Sequence, residues 1–467
     1  MEGFQVELMA RMSLGQAVLK LFEYVLDSTF LRETFDANRG RCYERELGFD
    51  RLVYLIRDAL VIDHGSGRQS FERAEAEGGL AVSVQNAYGK LGRVPLEVST
   101  ALLSGGTVRL GELLPAAGGG ATVPESLRAM KPTVIDGKKI KNAAKRLKAL
   151  RGLPGKMLGG KLLVALSLET GLAIAMNADQ DGERNDVPLV PGLVGQVRAL
   201  GPAARLWIAD RQFADLKMWT LLTEGQDHFL IRCTRNLGFV PDPSRPAREG
   251  TDLQGRRYVE EWGQAGSQTH PQRRYVRRIT LFRPGEDDVI LATDLLDGQS
   301  YPATDLLAAY LQRWGIERMF QQVTEVLELR RLIGSTPKAM IFQAALCFLL
   351  YNQIQVIKAY VAADGGKQPE QVSGELLFRD VRVELQTWAR FGDPSLALKL
   401  LPPISQPDPL RHWLAERLRG TWTDRWLKAP ANKRRPSKHA PVPQGQGGHS
   451  SVWRLIQAAR QAAPRRP

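Results

Sequence analysis

Two apolar runs separated by a short turn constrain the fold of this chain more than any other feature. They lie in KLLVALSLETGLAIAMNA (161–178), on either side of Glu169-Thr170-Gly171, and this pattern predicts a β-hairpin. A short β-branched run precedes them at 132–137. Strands are then predicted at 204–213 and 228–234, alternating with helices at 188–200 and 215–225. The sequence therefore predicts an α/β domain with a mixed sheet.

Helical regions and one insertion are predicted around this domain. The Gly-, Pro- and Ala-rich stretch at 114–125 gives the first boundary. Alternating apolar and charged residues predict an antiparallel β insertion before helical periodicity returns at 304–330. The predicted order is a helical N-terminal region (1–124), the α/β core in two parts (125–235 and 301–365) around the β-rich insertion (236–300), a C-terminal helical region (366–424) and a flexible basic tail (425–467).

The positive charge of the chain is concentrated in two segments. The net charge is +14, from 64 basic and 50 acidic residues. Residues 138–161 hold nine basic residues, 425–467 hold ten, and neither segment contains an acid. The rest of the chain carries 45 basic and 50 acidic residues. Two basic patches on an otherwise acidic chain favour a polyanionic partner, most simply nucleic acid, although a solvated solubility tail remains the alternative for the second segment.

Several other classes of protein are disfavoured. The three cysteines are far apart and include no CxxC pair, which argues against a disulfide scaffold and favours a reducing compartment. The longest apolar run, 344–350, is too short to span a bilayer. The segment 155–162 approaches a phosphate-binding loop, but Leu162 stands where a hydroxyl residue is required. We therefore expect a soluble intracellular protein with no membrane association and no nucleotide cofactor.

Three acids are candidates for one metal site. Asp136 ends the run VID and Asp210 ends WIAD, so both are predicted at the ends of core strands, and Glu317 lies in YLQRWGIERMF. Carboxylates that converge at a strand edge can hold two Mg²⁺ ions for phosphodiester cleavage. Each Asp alone could instead cap a helix or sit in a turn. Glu317 could instead form a solvated i,i+4 pair with Arg313.

The predicted helix around Glu317 has two distinct stripes. Tyr310, Arg313, Glu317 and Thr324 are spaced three, four and seven residues apart, so they share one face. The second stripe is apolar and would pack on the sheet; its members are Ala309, Ile316, Phe320, Val323 and Leu327. Glu317 then lies at the border of the core, facing the cleft.

These residues together resemble a known family. Tyr310, Arg313 and Glu317 fit the Tyr-Arg-Glu-Lys signature of the DDE transposases of bacterial insertion sequences, specifically the IS-four family, within Y-x-x-R-W-x-I-E-x-x-F. IDG around Asp136 and ADRQF around Asp210 are similar to the family's first two acidic motifs, and ERNDVPLVPGLV (183–194) is similar to the segment between them. The resemblance covers roughly residues 125–360.

The resemblance implies a ribonuclease H-like catalytic core, formed by 125–235 and 301–365. Asp136, Asp210 and Glu317 would be its catalytic metal ligands, with two Mg²⁺ ions, or Mn²⁺ in their place. Tyr310 and Arg313 would hold the DNA backbone near the cut end. The signature Lys falls at Thr324, so its phosphate contact is absent here or is supplied by a neighbour such as Arg318, Arg330 or Lys338.

Further DNA contacts are expected around the cleft. The basic segment after Asp136 would contact phosphates through Lys138, Lys139, Lys145, Arg146 and Lys148, with a solvated helix as the alternative. Trp262, among arginines of the insertion, would stack on a flipped base, as an insertion Trp can in relatives, unless it is a packing residue. The sequence does not fix which N-terminal residues read DNA; Lys90 and Arg93 are the candidates.

The leading functional hypothesis is therefore a DNA transposase that binds the inverted-repeat ends of its element and catalyses metal-dependent cleavage and strand transfer. It would act on double-stranded end and target DNA as a homodimer in the bacterial cytoplasm, associated with the nucleoid, and the region 1–124 would serve end binding or dimerisation. The alternative is a DNA-binding relative that no longer cuts, such as an inhibitor or a domesticated protein.

Overall fold

A mixed β-sheet of ten strands lies at the centre of the part of the chain that the computed structural model describes, which is residues 2–115, 118–234, 237–392, 400–429 and 449–462. A further pair of short strands lies beside it. The strands are β1 (Thr133–Ile140), β2 (Lys156–Leu158), β3 (Gly160–Ser167), β4 (Ala173–Asp179), β5 (Leu206–Ala209), β6 (His228–Cys233), β7 (Phe239–Pro241), β8 (Arg248–Thr251), β9 (Arg257–Ala265), β10 (Arg274–Leu281), β11 (Val289–Thr293) and β12 (His449–Ser451).

The first half of the sheet has the order β4-β3-β1-β5-β6. β3 pairs antiparallel with both β4 and β1, which confirms the predicted hairpin, and β1, β5 and β6 run parallel to one another. The connection from β1 to β5 contains the β3–β4 hairpin and the helix Val190–Arg198, and the connection from β5 to β6 contains the helix Leu216–Leu222. Parallel neighbours need long connections of this kind. This order is compatible with the predicted ribonuclease H-like core.

The insertion is antiparallel, as expected, but it does not form a separate small sheet. β11 pairs with β6, and β10, β9 and β7 continue outward from it, with β8 also paired to β9. The insertion therefore extends the core sheet. The free edge of β6 would expose unpaired backbone groups, and pairing with β11 satisfies them.

Helices cover both faces of the sheet. On one face the helices Val190–Arg198 and Leu216–Leu222 pack over a cluster that includes Ile135 and Trp207. On the other, Val134 and Ile208 join a larger cluster that continues into the N-terminal helices. The helices are α1 (Glu2–Ala10), α2 (Ser13–Val25), α3 (Ser28–Asn38), α4 (Phe49–Val61), α5 (Gly67–Ala76), α6 (Val84–Leu91), α7 (Leu96–Gly111), α8 (Glu125–Arg128), α9 (Val190–Arg198), α10 (Leu216–Leu222), α11 (Ala303–Leu311), α12 (Trp314–Gln321), α13 (Pro337–Asp364), α14 (Gly374–Phe391), α15 (Pro407–Arg417) and α16 (Val452–Ala462).

The long helix α13 joins the N-terminal helices to the core. It packs against α2, α4 and α7 as well as against β3 and β4. Its 28 residues are long and apolar enough to cross a bilayer, contrary to the estimate from the run 344–350, but its most apolar stretch is completely buried within the protein. Burial on all sides explains its composition, because a helix at the centre of a large core is hydrophobic all round.

The C-terminal part of the chain differs from the flexible tail that was expected. β12 pairs in parallel with β2, and α16 packs against the turn at Lys148–Leu150. Val452 is fully buried and Ser451 is 1% exposed. Residues 449–462 therefore pack on the basic segment of the core. The rest of the predicted tail, at 430–448 and 463–467, lies outside the described residues.

Candidate active site

The register of two parallel strands brings Asp136 and Asp210 level with each other. β1 and β5 pair with Val134 opposite Ile208, so Asp136 and Asp210 each lie two residues further along. Adjacent strands are about 5 Å apart. Asp210 directly follows β5, as predicted. Asp136 does not end its strand, because β1 continues to Ile140 through its pairing with β3; it lies where the pairing with β5 ends.

Both aspartates lie on the same face of the sheet. Side chains alternate along a strand, and Val134 and Ile208 belong to the larger core cluster while Ile135 and Ala209 belong to the opposite one. The larger cluster also contains Ile316 and Phe320 of α12, which packs against β1. The carboxylates thus face the helix that carries Glu317.

Asp210 also fulfils the alternative role considered for it. It caps the turn Arg211–Phe213, and its Oδ1 accepts a hydrogen bond from the Gln212 backbone N–H at 2.9 Å. This bond fixes the rotamer of the carboxylate, and the second oxygen stays available. Capping and ligand binding are therefore compatible at this residue.

The helical segment around Glu317 is interrupted twice, whereas the sequence predicted one helix over 304–330. α11 ends at Leu311, a tight turn at Gln312 and Arg313 leads into α12, and residues 322–326 form a turn of π-helix. In the tight turn between α11 and α12, the Arg313 backbone N–H donates to the Tyr310 carbonyl at 2.9 Å. π-turns occur most often near functional sites, where they reposition side chains.

Arg313 lies between the acids. Its side chain is 8% exposed, and Nη2 donates to Glu317 Oε1 at 2.9 Å while Nη1 lies 3.8 Å from Asp136 Oδ2. The i,i+4 pair of Arg313 and Glu317, the alternative interpretation of Glu317, is therefore present. It is partly buried, however, and Arg313 also approaches Asp136 of the core strand β1. A guanidinium between two acids holds both in the cleft and partly offsets their repulsion.

The electrostatics of Asp136 indicate that the three carboxylates interact. Burial raises the pKa of Asp136 to about 6, and the negative charges of Asp210 and Glu317 also act to raise it. The N–H of Gly137, which donates to Oδ1 at 2.8 Å, and the charge of Arg313 act in the opposite direction. A cation that replaced the proton would relieve the same repulsion.

The donor chemistry of this cluster fits a divalent cation. Asp136, Asp210 and Glu317 supply carboxylate oxygens, the ligands that Mg²⁺ prefers. Within the described parts of the chain, however, no group of three or more His, Cys, Asp or Glu side chains is placed to hold a metal ion. The guanidinium of Arg313 lies close to Asp136 and Glu317, so a metal ion would have to compete with it for these two carboxylates.

Tyr310 lies against Arg313, with the guanidinium carbon 5.8 Å from the ring centroid. Burial raises the pKa of its hydroxyl. Within the described residues, the buried Tyr310 hydroxyl and Arg313 Nε make no hydrogen bond of standard geometry. Buried polar groups are rarely left unpaired. Both groups adjoin the carboxylate cluster, and a ligand oxygen would reach them only after a side-chain movement, because both atoms are buried.

Lys138 lies close to Phe320, one turn before Thr324, the position at which the family resemblance expects a lysine. Its Nζ is 5.2 Å from the ring centroid of Phe320, the residue whose carbonyl accepts a 2.6 Å hydrogen bond from the Thr324 hydroxyl. Burial and the charge of Lys141 lower the pKa of Lys138 to about 8. The three neighbours suggested by the sequence lie elsewhere: Arg318 in a cavity with Lys358, Arg330 beside Glu328, and Lys338 at the start of α13.

The basic segment after Asp136 is not the solvated helix that was the alternative. It consists of the end of β1, a loop, a short 3-10 turn and β2. Lys139, Lys145, Arg146 and Lys148 are exposed on it, whereas Lys138 is partly buried.

Trp262 is completely buried, with Nε1 donating to the Leu296 carbonyl at 2.9 Å. The guanidinium of Arg245 lies 4.1 Å from its ring centroid and that of Arg277 lies 5.6 Å away. The indole is therefore not accessible to a base in this structure, which favours the packing interpretation.

The central part of the chain matches a known protein family. Residues 128–353, just under half of the chain, match the family model described as "Transposase DDE domain". The match supports a DDE transposase and suggests transposase activity on DNA. Transposases of this type generally use divalent metal ions. No curated protein matches the sequence. The matched region begins before β1 and ends within α13, so it includes all three acids.

Proposed function

We propose that this protein is a DNA transposase that cuts the inverted-repeat ends of its element and transfers the freed strand to target DNA. The observation that carries the proposal is that Asp136 and Asp210 lie level on one face of the sheet, opposite Glu317 of α12, with Arg313 close to both Asp136 and Glu317. Its place within the segment that matches the transposase domain supports it. The residues around Glu317 favour the IS-four family as the finer assignment.

Asp136, Asp210 and Glu317 are the residues that would hold two Mg²⁺ ions. Such ions, when bound, activate an attacking hydroxyl or water and stabilise the leaving oxygen of a phosphodiester. Arg313 keeps Asp136 and Glu317 in the cleft before DNA arrives. Its Nε and the Tyr310 hydroxyl, both buried in this structure, are the donors that a side-chain movement would present to a backbone phosphate beside the scissile bond. Both lie at the border of the apolar core, where a phosphate contact is least screened by water.

Lys138 is proposed to take the role of the signature Lys, because it lies at the turn of Phe320 and Thr324. Lys138→Gln should then weaken binding to cleaved ends and lower strand transfer. Adding Thr324→Lys to that variant should restore part of both. If Lys138→Gln has wild-type activity, or if the added Lys changes nothing, Lys138 does not hold this phosphate.

The experiment that tests the function is nicking of a supercoiled plasmid that carries candidate element ends, with Mg²⁺, Mn²⁺ or Ca²⁺. Asp136→Asn, Asp210→Asn and Glu317→Gln should each abolish nicking while end binding is retained. Binding by these variants shows that they are folded. Nicking that survives all three substitutions would refute the proposal.

The non-cutting alternative is favoured by two observations. Arg313 contacts Asp136 and Glu317, and the acids within the described residues are not placed as a metal site. A protein of this kind would bind end DNA but show no nicking with any ion.

A further inference from the structure

A large basic cavity lies outside the candidate active site. It has a volume of about 1130 Å³ and opens between the loop at 39–47, the residues after α6, the start of α13 and α16. Five of its cationic side chains make no ion pair or hydrogen bond with any described residue. We call this set the basic groove: Arg41, Arg45, Arg93, Lys338 and Arg460.

The other two cations of the cavity, Lys90 and Arg39, are engaged by groups of the protein, unlike the five of the basic groove. Lys90 is 8% exposed, donates to the Leu47 carbonyl and lies 3.5 Å from Glu44, so it stabilises the loop. Arg39 pairs with Asp36 at 3.0 Å. Glu46 is the one acid among the described residues that line the cavity. Of the two N-terminal candidates for DNA contact, Lys90 is thus committed to the fold, and Arg93 is exposed in the groove.

Three features of the basic groove fit a polyphosphate. Its five uncompensated cations repel one another, which a line of phosphates would relieve. The N-terminus of the 28-residue helix α13 lies at Thr336 and Pro337 in the wall and adds partial positive charge. Tyr43, 73% exposed, stands in the lining as an aromatic surface for a sugar or base.

The wall formed by α16 connects the basic groove to the catalytic region. β12 pairs with β2, and α16 packs on Lys148–Leu150, so this wall is attached to the basic segment that starts two residues after Asp136. Arg454 strengthens the attachment through bonds to Asp181 at 2.8 Å and Glu183 at 2.6 Å. Arg146 of the same segment lines a second cavity that shares Thr336 with the first. One exposed cation of the basic segment therefore lines a cavity that adjoins the groove.

We infer that the basic groove binds the phosphate backbone of duplex DNA away from the cut site, and that the C-terminal segment 449–462 forms one wall of this second DNA site. The inference rests on the proposed function for its choice of DNA as the polyanion. It assigns the N-terminal loop and the C-terminal helix to a single binding surface, although they are far apart in sequence.

The test is a salt titration of DNA binding by the full chain. Fluorescence anisotropy with a duplex of arbitrary sequence, about four helical turns long, gives the slope of log K against log salt. Arg41→Gln/Arg45→Gln/Arg93→Gln should reduce this slope by about 0.9 for each phosphate that is no longer neutralised, hence by up to about 2.7. Arg460→Gln alone should reduce it by about 0.9. The triple Arg→Lys variant should keep most of the slope, because a point charge suffices for a phosphate.

The matched control is Lys217→Gln/Lys367→Gln/Arg379→Gln. These three cations are exposed, make no ion pair with a described residue and line neither cavity. The control should leave the slope unchanged. If the groove variant and the control have the same slope, or if the wild-type chain binds an acidic peptide in preference to the duplex, the inference is overturned. An unchanged slope for Arg460→Gln removes α16 from the site.

These outcomes are separable from those of the proposed function. The groove variant should still nick plasmid at saturating protein, and Asp136→Asn should still bind with the wild-type salt slope. A chain that binds through the groove but never cuts refutes the transposase and leaves the groove in place. A chain that cuts DNA, but whose binding does not depend on the basic groove, supports the transposase and refutes the groove as a DNA site.

Discussion

Replacing Gly137 with Ala should disrupt the strand that carries Asp136. A Cβ at this position would overlap the carboxylate of Asp186. That carboxylate has nowhere to move, because its side chain is 6% exposed and forms a 2.5 Å ion pair with Lys161, which is 7% exposed. Either the ion pair breaks or β1 shifts away, and both alternatives affect the residue next to Asp136.

The magnitude follows from the burial of the pair. Breaking a buried ion pair so that one charge stays buried without its partner lowers the free energy of unfolding by about 3–5 kcal/mol. The total free energy of unfolding of a folded domain is about 5–15 kcal/mol. Gly137→Ala should therefore lower the free energy of unfolding by about 3 kcal/mol or more, measured by urea denaturation with tryptophan fluorescence at neutral pH. Nicking activity should fall further than the folded fraction does, since the strand is displaced at Asp136.

Two companion variants make the reasoning refutable. Gly195→Ala, in the middle of α9 with open space at the Cβ position, should stabilise the protein by about 0.5–1 kcal/mol. Gly137→Ala/Lys161→Met/Asp186→Ala replaces the ion pair with apolar groups and should recover most of the stability that Gly137→Ala removes. If Gly137→Ala unfolds at the wild-type urea midpoint, the overlap with Asp186 does not constrain this strand.

Four further outcomes are expected. Arg277→Met should lower the free energy of unfolding, measured by urea denaturation, by about 3–5 kcal/mol. The reason is that Arg277 is fully buried, pairs with Glu260 at 2.5 Å and donates to the Tyr301 carbonyl just before α11. Adding Glu260→Leu should reverse most of the loss, and no reversal would contradict this account. Tyr310→Phe should leave stability unchanged or raise it, since the buried hydroxyl makes no hydrogen bond of standard geometry with a described residue. Binding to cleaved ends should weaken, and unchanged binding would exclude a phosphate contact. His228 Nδ1 lies 2.9 Å from Asp294, and this hydrogen bond raises the pKa of His228 in the folded protein. The resulting stabilisation is full at pH values below the pKa of His228 in the unfolded chain and is lost as the pH rises through its pKa in the folded protein. The urea midpoints of wild type and His228→Gln should therefore differ more at about pH 5.5 than at about pH 8.5, and the opposite trend would refute this account. Arg454→Ala should leave global stability nearly unchanged because Arg454 is half-exposed and its ion pairs are screened by water. Hydrogen exchange in 452–462 should nevertheless become faster, and equal exchange rates would mean that the two ion pairs do not hold α16.

The local elements of the core were predictable because each has a short-range cause. The turn at 169–171 separates two apolar runs, and β3 and β4 pair on either side of it. The helical spacing at 188–200 and 215–225 corresponds to α9 and α10. The sequence could not indicate how far β1 extends. Its last residues include Lys138 and Lys139, which do not suggest a buried strand, and pairing with β3 keeps them extended.

The position of Asp186 shows why a motif can be noticed without being explained. The segment 183–194 was singled out only by resemblance, and no chemistry was assigned to its residues. In the structure Asp186 packs against Gly137 and pairs with Lys161. The glycine of the IDG motif and the aspartate of the later segment therefore depend on each other, and only the fold brings them together.

The same limit applies to the C-terminal segment. Its basic composition and prolines suggest a flexible tail, since a solvated chain needs no partner. The contacts that order 449–462 come from β2, Asp181 and Glu183, which lie in the first half of the chain. A parallel strand pair between such distant segments leaves no periodic pattern in either one, so composition alone gives the wrong expectation.

Thr324 illustrates how an ideal helix misleads at a functional site. Counting seven residues from Glu317 places Thr324 on the same face of a regular helix. In the structure the backbone enters a π-turn at residue 322, which changes the faces that later side chains occupy. A lysine near this turn then comes from β1, where Lys138 reaches Phe320 from across the cleft. In the role proposed for Lys138, a residue from another element would complete a signature that is written along one helix, provided that its charge reaches the same place. What matters chemically is the position of the ammonium group relative to the phosphate, and a search along the sequence of the helix cannot detect that substitution.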